Sequence, residues 1–207
     1  MSLFLQQEDS DFRLGIWKMD ETYEELCALL PGGLVGEAEQ RFPAFHRRQE
    51  WLSVRALLAR MAGGGHEIAY LPSGKPYLQD SHFHISISHT KGYVAIILSA
   101  NPVGIDIEQY GPRVHKVSSR FMREDEKALP WLGDDTWSLL LHWSAKEVLY
   151  KCLDTESVDF QKHLRIFPFT PQPQGTFHAC EYKSALQHTF QIHYRLHPDF
   201  VLTWALA

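Results

Sequence analysis

The sequence has few cysteines, no long apolar run and no excess of basic residues, and each absence excludes a class of protein. Its three cysteines (Cys27, Cys152 and Cys180) lie far apart and form neither a disulfide framework nor a CxxC zinc pattern. We therefore expect free thiols in a reducing cytoplasm. No stretch approaches the roughly 18 to 20 apolar residues of a membrane span, and the N-terminus has no signal-peptide pattern.

The net charge and the composition exclude further classes of protein. The formal net charge is −5, which argues against a nucleic-acid-binding protein. Hydrophobic residues make up 44% of the chain and charged residues 22%, so the chain can form a core and is not a disordered polymer. Its 207 residues lie at the border between one domain and two.

Hydrophobic periodicity predicts a mixed α+β chain. We expect strands at 12–19, 83–88, 93–98, 103–108, 165–169, 190–196 and 200–207, with a hairpin at 83–98 and a loop at 170–175. We expect helices at 20–30, 37–61 (interrupted near Pro43), 114–121, 123–129 and 135–153.

One pattern occurs twice along the chain. At a constant spacing of 107 residues, FHISISHTKGYVAIILSA from Phe83 resembles FQIHYRLHPDFVLTWALA from Phe190. EWLSVRALLARM likewise resembles HWSAKEVLYKC, and LGIWKM resembles VGIDIE. Any two α+β segments share some patterning, but three matches in the same order favour duplication of a strand–helix–strand–strand unit. We predict two similar halves, 1–101 and 102–207, that meet near Asn101-Pro102.

Two acidic residues share one face of a predicted strand. Asp106 and Glu108 lie two positions apart and point to the same side, while Ile105 and Ile107 point into a core. Neighbouring carboxylates repel each other unless a cation or a proton relieves them, and Mg²⁺ is a usual partner. For this pair alone, the alternative of solvated acids on a half-exposed strand is favoured.

A second candidate lies on the last predicted helix. Trp143, Glu147 and Lys151 are spaced four residues apart and form one stripe, with Lys146 beside it. Taken alone, Glu147 and Lys151 are more often a surface ion pair than a site.

Three further segments carry polar groups that suit phosphate. The turn Ser73-Gly74-Lys75-Pro76 can present backbone N–H groups and an ammonium. The segment SISHTK (Ser86–Lys91) gathers hydroxyls, an imidazole and an ammonium at a strand end, and Arg47-Arg48 precedes a helix. A plain turn or a solvated helix face is the alternative for each.

Together these segments resemble the 4′-phosphopantetheinyl transferases of the larger, surfactin-synthetase-activating type. The family's G(I/V)D(I/V)E strand is matched at Gly104–Glu108 and its W(S/A/C)xKExxxK helix at Trp143–Lys151. Its GKP element is matched at Gly74–Pro76 and its (I/N)SH(S/T) element at Ile87–Thr90, so the resemblance covers about 42–153. It implies a pseudo-symmetric tandem of two α/β halves with the active site at their seam.

The resemblance also implies an activity and a metal site. Such enzymes move the 4′-phosphopantetheine arm of coenzyme A onto a serine of an apo acyl or peptidyl carrier protein and release adenosine 3′,5′-bisphosphate. Asp106, Glu108 and Glu147 would hold Mg²⁺ (or Mn²⁺), with Asp106, Glu147 and Lys151 as the catalytic residues. Glu147 would accept the serine proton, directly or through a water on the metal, although metal ligation lowers a carboxylate's pKa and weakens it as a base.

The remaining implied roles concern coenzyme A. Lys151 and Lys146 would neutralise the transferring phosphate, and Arg47 or Arg48 would reach the 3′-phosphate. The residues expected to hold the other phosphates are Ser73, Gly74, Lys75, Pro76, Ser88 and His89.

Partners and alternatives complete the expectations. We expect a cytoplasmic monomer that binds neither nucleic acid nor membrane. The acidic helix of a carrier protein would contact a locally basic stretch that comprises Arg113, Lys116, Arg120 and Arg123. The alternative is that these residues form a solvated helix face. A catalytically inactive relative that binds coenzyme A or a carrier, and an Mg²⁺-dependent phosphodiesterase, are the alternative functions.

Overall fold

The computed structural model describes residues 2–79, 81–153 and 157–207. The chain divides into two compact units, Met1–Ala100 and Asn101–Ala207, and this boundary falls one residue before the predicted division. Both units combine helices with sheets, which confirms the predicted mixture of α and β structure. Within the described ranges, no helix combines the length and apolar character needed to cross a membrane.

The first unit is built on a four-stranded antiparallel sheet. Its elements are β1 (Leu3–Glu8), β2 (Phe12–Lys18), α1 (Tyr23–Ala28), α2 (Gly32–Arg41), α3 (Phe45–Ala62), β3 (Ile68–Tyr70), β4 (Pro76–Leu78), β5 (His84–Thr90) and β6 (Tyr93–Ser99). The sheet order is β1-β2-β6-β5, and β3 pairs separately with β4. Leu57 and Leu58 of α3 pack with Val94 and Ile96 of β6 in the core.

The second unit is built on a five-stranded antiparallel sheet. Its elements are β7 (Val103–Gln109), two 3-10 helices (Pro112–Lys116 and Ser118–Arg120), α4 (Thr136–Cys152), β8 (Leu164–Ile166), β9 (Gln174–Glu181), β10 (Thr189–His197) and β11 (Phe200–Leu206). The sheet order is β7-β11-β10-β9-β8. Leu141 and Val148 of α4 pack with Ile192 and Val201 of the sheet.

The same strand arrangement occurs in each unit taken by itself. β2-β6-β5 in the first unit corresponds to β7-β11-β10 in the second, and a long helix precedes the hairpin in both. A glycine on the leading strand lets that helix approach closely. A Cβ at Gly15 would lie 2.5 Å from Met61 Sδ, and one at Gly104 would lie 2.5 Å from the Val148 carbonyl oxygen. These glycines occupy corresponding places in the repeated sequence segments.

Prolines divide the helices of the first unit where the sequence indicates. Pro31 separates α1 from α2, and Pro43 lies between α2 and α3. Thr22 begins α1 with a capping box, in which its hydroxyl accepts from Glu25 N and the Glu25 carboxylate accepts from Thr22 N. The predicted interruption of the 37–61 region is therefore confirmed.

The helix predicted at 123–129 is wrong. Turns and irregular backbone occupy this segment, because the Glu126 carboxylate turns inward and accepts hydrogen bonds from the Lys146 ammonium at 2.8 Å and from Ile166 N at 2.7 Å. The predicted helix at 114–121 is replaced by the two 3-10 helices. Tertiary hydrogen bonding by a buried acid overrides the local periodicity here.

Four strands were missing from the sequence prediction, namely β1, β3, β4 and β9. β1 pairs with β2 at one edge of its sheet, and β9 lies between β8 and β10. β9 begins at Gln174 and so shortens the loop predicted at 170–175. Its inward residues Phe177 and Ala179 are two positions apart, which is the period expected of a strand.

Candidate active site

The candidate site lies between β7 and α4 of the second unit. Gly104 provides the space for α4 to lie against β7, so side chains that follow on the same face of the strand meet the helix. Asp106 and Glu108 therefore face α4, as the strand alternation predicts. Ile105 and Ile107, on the opposite face, are also buried.

Asp106 is buried and firmly held. Ser144 Oγ donates to Asp106 Oδ2 at 2.8 Å, and the Lys151 ammonium donates to Asp106 Oδ1 at 2.9 Å. Ser144 Oγ also lies 2.7 Å from Thr203 Oγ1, which links the helix to β11. The Lys151 ammonium also donates to the Ile105 carbonyl at 2.8 Å, so this side chain of α4 is bound to two neighbouring residues of β7.

Glu108 lies one strand repeat further along and is bound to the helix by tryptophan. Trp143 Nε1 donates to Glu108 Oε1 at 2.7 Å. Burial and the neighbouring Asp106 carboxylate raise the pKa of Glu108 to about 7, against the lowering effect of the Trp143 hydrogen bond.

Glu147 completes the acidic group from the middle of α4. Burial, followed by the Asp106 charge, raises the pKa of Glu147 to about 7, while Lys151 acts in the opposite direction. The Lys151 ammonium contacts Asp106 and also lowers the pKa of Glu108 and of Glu147 through its charge. These carboxylates repel one another and offer only oxygen ligands. A hard divalent cation suits such a group, because it prefers oxygen ligands and would offset the excess negative charge.

The three carboxylates do not form a tight cage. Within the described ranges, only His115, Asp134 and Asp135 are grouped so that all three ligand atoms lie within 4.8 Å of one another. That second group is half-exposed, and Asp134 already accepts hydrogen bonds from the Tyr110 hydroxyl and from Thr136 N. Sequence reasoning did not identify it, because its members come from two separate segments.

Lys146 lies away from the acidic group. Its side chain is 0% exposed and its ammonium donates to Glu126 Oε2 at 2.8 Å and to two backbone carbonyls. This placement conflicts with the expected contact to a transferring phosphate, because all three ammonium protons are bound and no solvent reaches them. Only Lys151, among the two expected lysines, meets the carboxylates.

The first unit contains a separate cavity of about 380 Å³. Arg47, His89 and Gly74, three of the expected coenzyme A contacts, line it. Arg47 Nη1 lies 2.9 Å from Glu50 Oε2, and His89 Nδ1 lies 3.7 Å from Glu50 Oε1, so Glu50 contacts both side chains at the cavity. Sequence reasoning missed Glu50, although its position three residues after Arg47 on a helix was a usable signal.

The other expected contacts are placed differently. Arg48 does not line that cavity and lies over the Tyr23 and Phe45 rings at about 6 Å. Ser73, Gly74 and Lys75 form the turn between β3 and β4, where Leu71 N donates to the Lys75 carbonyl at 2.9 Å. Pro76 begins β4, and Ser88 is buried in β5.

Comparison with known proteins places the chain in a family. The family model described as the 4′-phosphopantetheinyl transferase superfamily matches residues 102–205. The chain belongs to this superfamily. The match contains both β7 and α4, and it confirms the resemblance found in the sequence motifs.

Named phosphopantetheinyl transferases match part of the chain. The 4′-phosphopantetheinyl transferase AcpT of Escherichia coli, in strains O157:H7 and K12, is 37% identical over 91 residues, which is 43% of this chain and 45% of AcpT. The 4′-phosphopantetheinyl transferase gsp of Aneurinibacillus migulanus is 33% identical over 85 residues, 39% of this chain and 35% of that protein. The matched region therefore spans less than half the length of these relatives.

Proposed function

We propose that this protein transfers 4′-phosphopantetheine from coenzyme A to a serine of an apo carrier protein and releases adenosine 3′,5′-bisphosphate. The observation that supports this most directly is the meeting of Asp106, Glu108 and Glu147 with Lys151 in the unit that matches the family. The named relatives are transferases of this kind.

We propose that Asp106, Glu108 and Glu147 hold Mg²⁺ or Mn²⁺. When bound, such an ion would draw electron density from the coenzyme A pyrophosphate and stabilise charge on the departing phosphate. Ser144 and Trp143 orient two of the carboxylates through single hydrogen bonds. Lys151 adds a positive charge beside Asp106 for the transferring phosphate.

The transfer breaks one P–O bond and forms another. The carrier serine oxygen attacks the phosphorus that bears the pantetheine arm, and the bond from that phosphorus to the bridging oxygen of adenosine 3′,5′-bisphosphate breaks. Glu147 is our proposed acceptor of the serine proton. Burial and the Asp106 charge raise the pKa of Glu147 to about 7 in the metal-free protein, and ligation of the metal would lower it from there.

The phosphates of coenzyme A are proposed to meet basic side chains of the first unit. Arg47 and His89 line one cavity there, and Lys75 lies in the turn whose Gly74 reaches the same cavity. Arg47 is preferred over Arg48 for the 3′-phosphate because Arg48 stacks on aromatic rings instead. Lys146 is not proposed to contact a phosphate, because its ammonium is buried and already bound by three acceptors within the protein.

The carrier protein is proposed to meet basic residues that follow β7. Arg113, Lys116 and Arg120 are exposed on the 3-10 helices. Arg123 does not belong with them, because its guanidinium bonds to Asp125 and to the Gln161 carbonyl, both at 2.8 Å. A cytoplasmic location and a monomeric state stay predictions.

Mass spectrometry of the carrier tests the proposed function. The protein is mixed with coenzyme A, Mg²⁺ and an apo carrier protein, and we expect the carrier to gain one phosphopantetheine. Asp106→Ala should abolish the gain, whereas the matched control Asp135→Ala, which removes an acid from the second group, should retain it. If only Asp135→Ala loses transfer, the metal is not held by Asp106, Glu108 and Glu147, and the proposed metal site is wrong.

The same experiment separates the alternative functions. Binding of coenzyme A without a mass gain on several carriers would favour an inactive binding protein. Cleavage of coenzyme A without a carrier would favour a phosphodiesterase. Either result would overturn the proposed transfer.

A further inference from the structure

Lys146 is the centre of a buried clamp in the second unit. Its ammonium donates to the Phe121 carbonyl at 2.6 Å, to Glu126 Oε2 at 2.8 Å and to the Phe160 carbonyl at 3.2 Å. Glu126 is itself held by Ile166 N, which donates to Oε1 at 2.7 Å. We call the Lys146 and Glu126 side chains, together with the two carbonyls to which Lys146 donates, the Lys146 clamp.

The two carbonyls belong to residues whose rings pack against Trp143. The centroid of the Phe121 ring lies 5.3 Å from that of Trp143, and the centroid of the Phe160 ring lies 5.6 Å from it. Trp143 precedes Lys146 by three residues, so both side chains leave α4 on neighbouring positions of one face. The clamp therefore fixes the backbone of both residues that flank the indole.

The indole connects this clamp to the acidic group. Trp143 Nε1 donates to Glu108 Oε1 at 2.7 Å, across from α4 to β7. A displaced indole would lose this contact, because a hydrogen bond weakens steeply once its distance and angle depart from the ideal. The route from Lys146 to Glu108 thus consists of backbone carbonyls, ring packing and one N–H donor.

We propose that Lys146 and Glu126 are positioning residues, which hold the Trp143 indole so that its N–H fixes the Glu108 carboxylate toward the metal site. Only the catalytic importance of Glu108 rests on the proposed function; the positioning of the Trp143 indole does not. A buried ion pair is often no more stabilising than apolar residues of the same size. Apolar side chains cannot donate to the two carbonyls, and this is the contribution that we assign to Lys146.

Indole NMR of the metal-free protein tests the position of Trp143 without any assay of transfer. Trp143→Phe assigns the Trp143 Nε1–H cross-peak. Lys146→Met with Glu126→Leu removes both charges together, so no unpaired buried charge is left behind. We expect the double variant to keep a cooperative unfolding transition while that cross-peak moves and its hydrogen exchange accelerates at least about tenfold.

Binding of Mn²⁺, measured by electron paramagnetic resonance, gives the second readout. Loss of a residue that orients a metal ligand typically weakens metal binding by 10- to 100-fold. We expect about a tenfold loss in the double variant and a similar loss in Trp143→Phe, which keeps an aromatic ring but lacks the N–H donor. Lys127→Met, a change at an exposed lysine of the same segment, is the control and should change neither readout.

The outcomes separate this inference from the proposed function. An unchanged cross-peak and unchanged Mn²⁺ affinity in a folded double variant would overturn it. If the double variant does not fold, unchanged Mn²⁺ affinity in Trp143→Phe would overturn it equally. A shifted cross-peak and weaker Mn²⁺ binding would support the positioning role even if the protein transferred nothing.

Discussion

Glu147→Gln should stabilise the metal-free protein at alkaline pH. Burial and the Asp106 charge raise the pKa of Glu147 to about 7, from an ordinary value of 4.5. Because the folded-state pKa lies above the unfolded value, the stabilising neutral form is fully present below about pH 4.5 and is lost as the pH rises through about 7. Ionised Glu147 therefore opposes folding at pH 8, and glutamine removes that opposition while keeping the shape.

The structure sets the expected size. A displacement of about 2.5 pKa units corresponds to about 3 kcal/mol of unfolding free energy at pH 8, and to less than about 1 kcal/mol at pH 5. For a protein of this size, about 3 kcal/mol raises the melting temperature by about 6 to 12 °C. Glu108 acts in the same direction, since its pKa is also raised to about 7, so part of the pH dependence remains in the variant.

Urea unfolding in the presence of a chelator measures the effect. Wild type, Glu147→Gln and Glu124→Gln are compared at pH 5 and pH 8 by tryptophan fluorescence. Glu124 is an exposed glutamate of the same unit, and its variant should follow the wild type at both pH values. The reasoning is refuted if Glu147→Gln is no more stable than wild type at pH 8, or if its gain is equal at both pH values.

Three further changes have expected outcomes. Gly104→Ala should destabilise the second unit by about 1 to 3 kcal/mol in urea unfolding, because its Cβ would meet the backbone of α4 at 2.5 Å. Arg47→Ala should raise the KM for coenzyme A by about 10- to 100-fold, since a charge-assisted hydrogen bond contributes about 1.5 to 3 kcal/mol. Lys116→Glu with Arg120→Glu should raise the KM for the carrier protein at least severalfold, with little change in the KM for coenzyme A.

Each of these changes has a matched control. Gly36→Ala, in α2 with no atom within 4 Å of the added Cβ, should leave stability unchanged or raise it by up to about 1 kcal/mol. Arg48→Ala should leave the KM for coenzyme A near the wild-type value, and Arg60→Glu, on the exposed end of α3, should leave both KM values unchanged. Equal effects in a variant and its control would contradict the corresponding prediction.

Much of the fold could be predicted because its signals are local. The hairpins at the end of each unit, the helix bearing Trp143 and the breaks at Pro31 and Pro43 follow from periodicity and from backbone chemistry. The helix expected at 123–129 fails because the partner of Glu126 is Lys146, twenty residues away, and no local pattern contains that pairing.

The candidate site divides in the same way. Local sequence placed Asp106 and Glu108 on one face of a strand, and Glu147 and Lys151 on one stripe of a helix, because both depend only on residue spacing. The sequence by itself therefore predicted which residues would meet in the acidic group between β7 and α4. Whether Arg47 or Arg48 lines a cavity, and whether Lys146 is exposed, depends on how a helix rotates against its neighbours.

The tertiary structure alone decided how these groups are used. In the structure Lys146 is buried and pairs with Glu126, although the sequence predicted that it would contact a phosphate. Ser144 donates to Asp106 and is itself hydrogen-bonded to Thr203. The physical reason is burial: whether an ionised group contacts a ligand or anchors a core depends on the partners and solvent around it. Those surroundings come from segments that are distant in sequence and meet only in the fold.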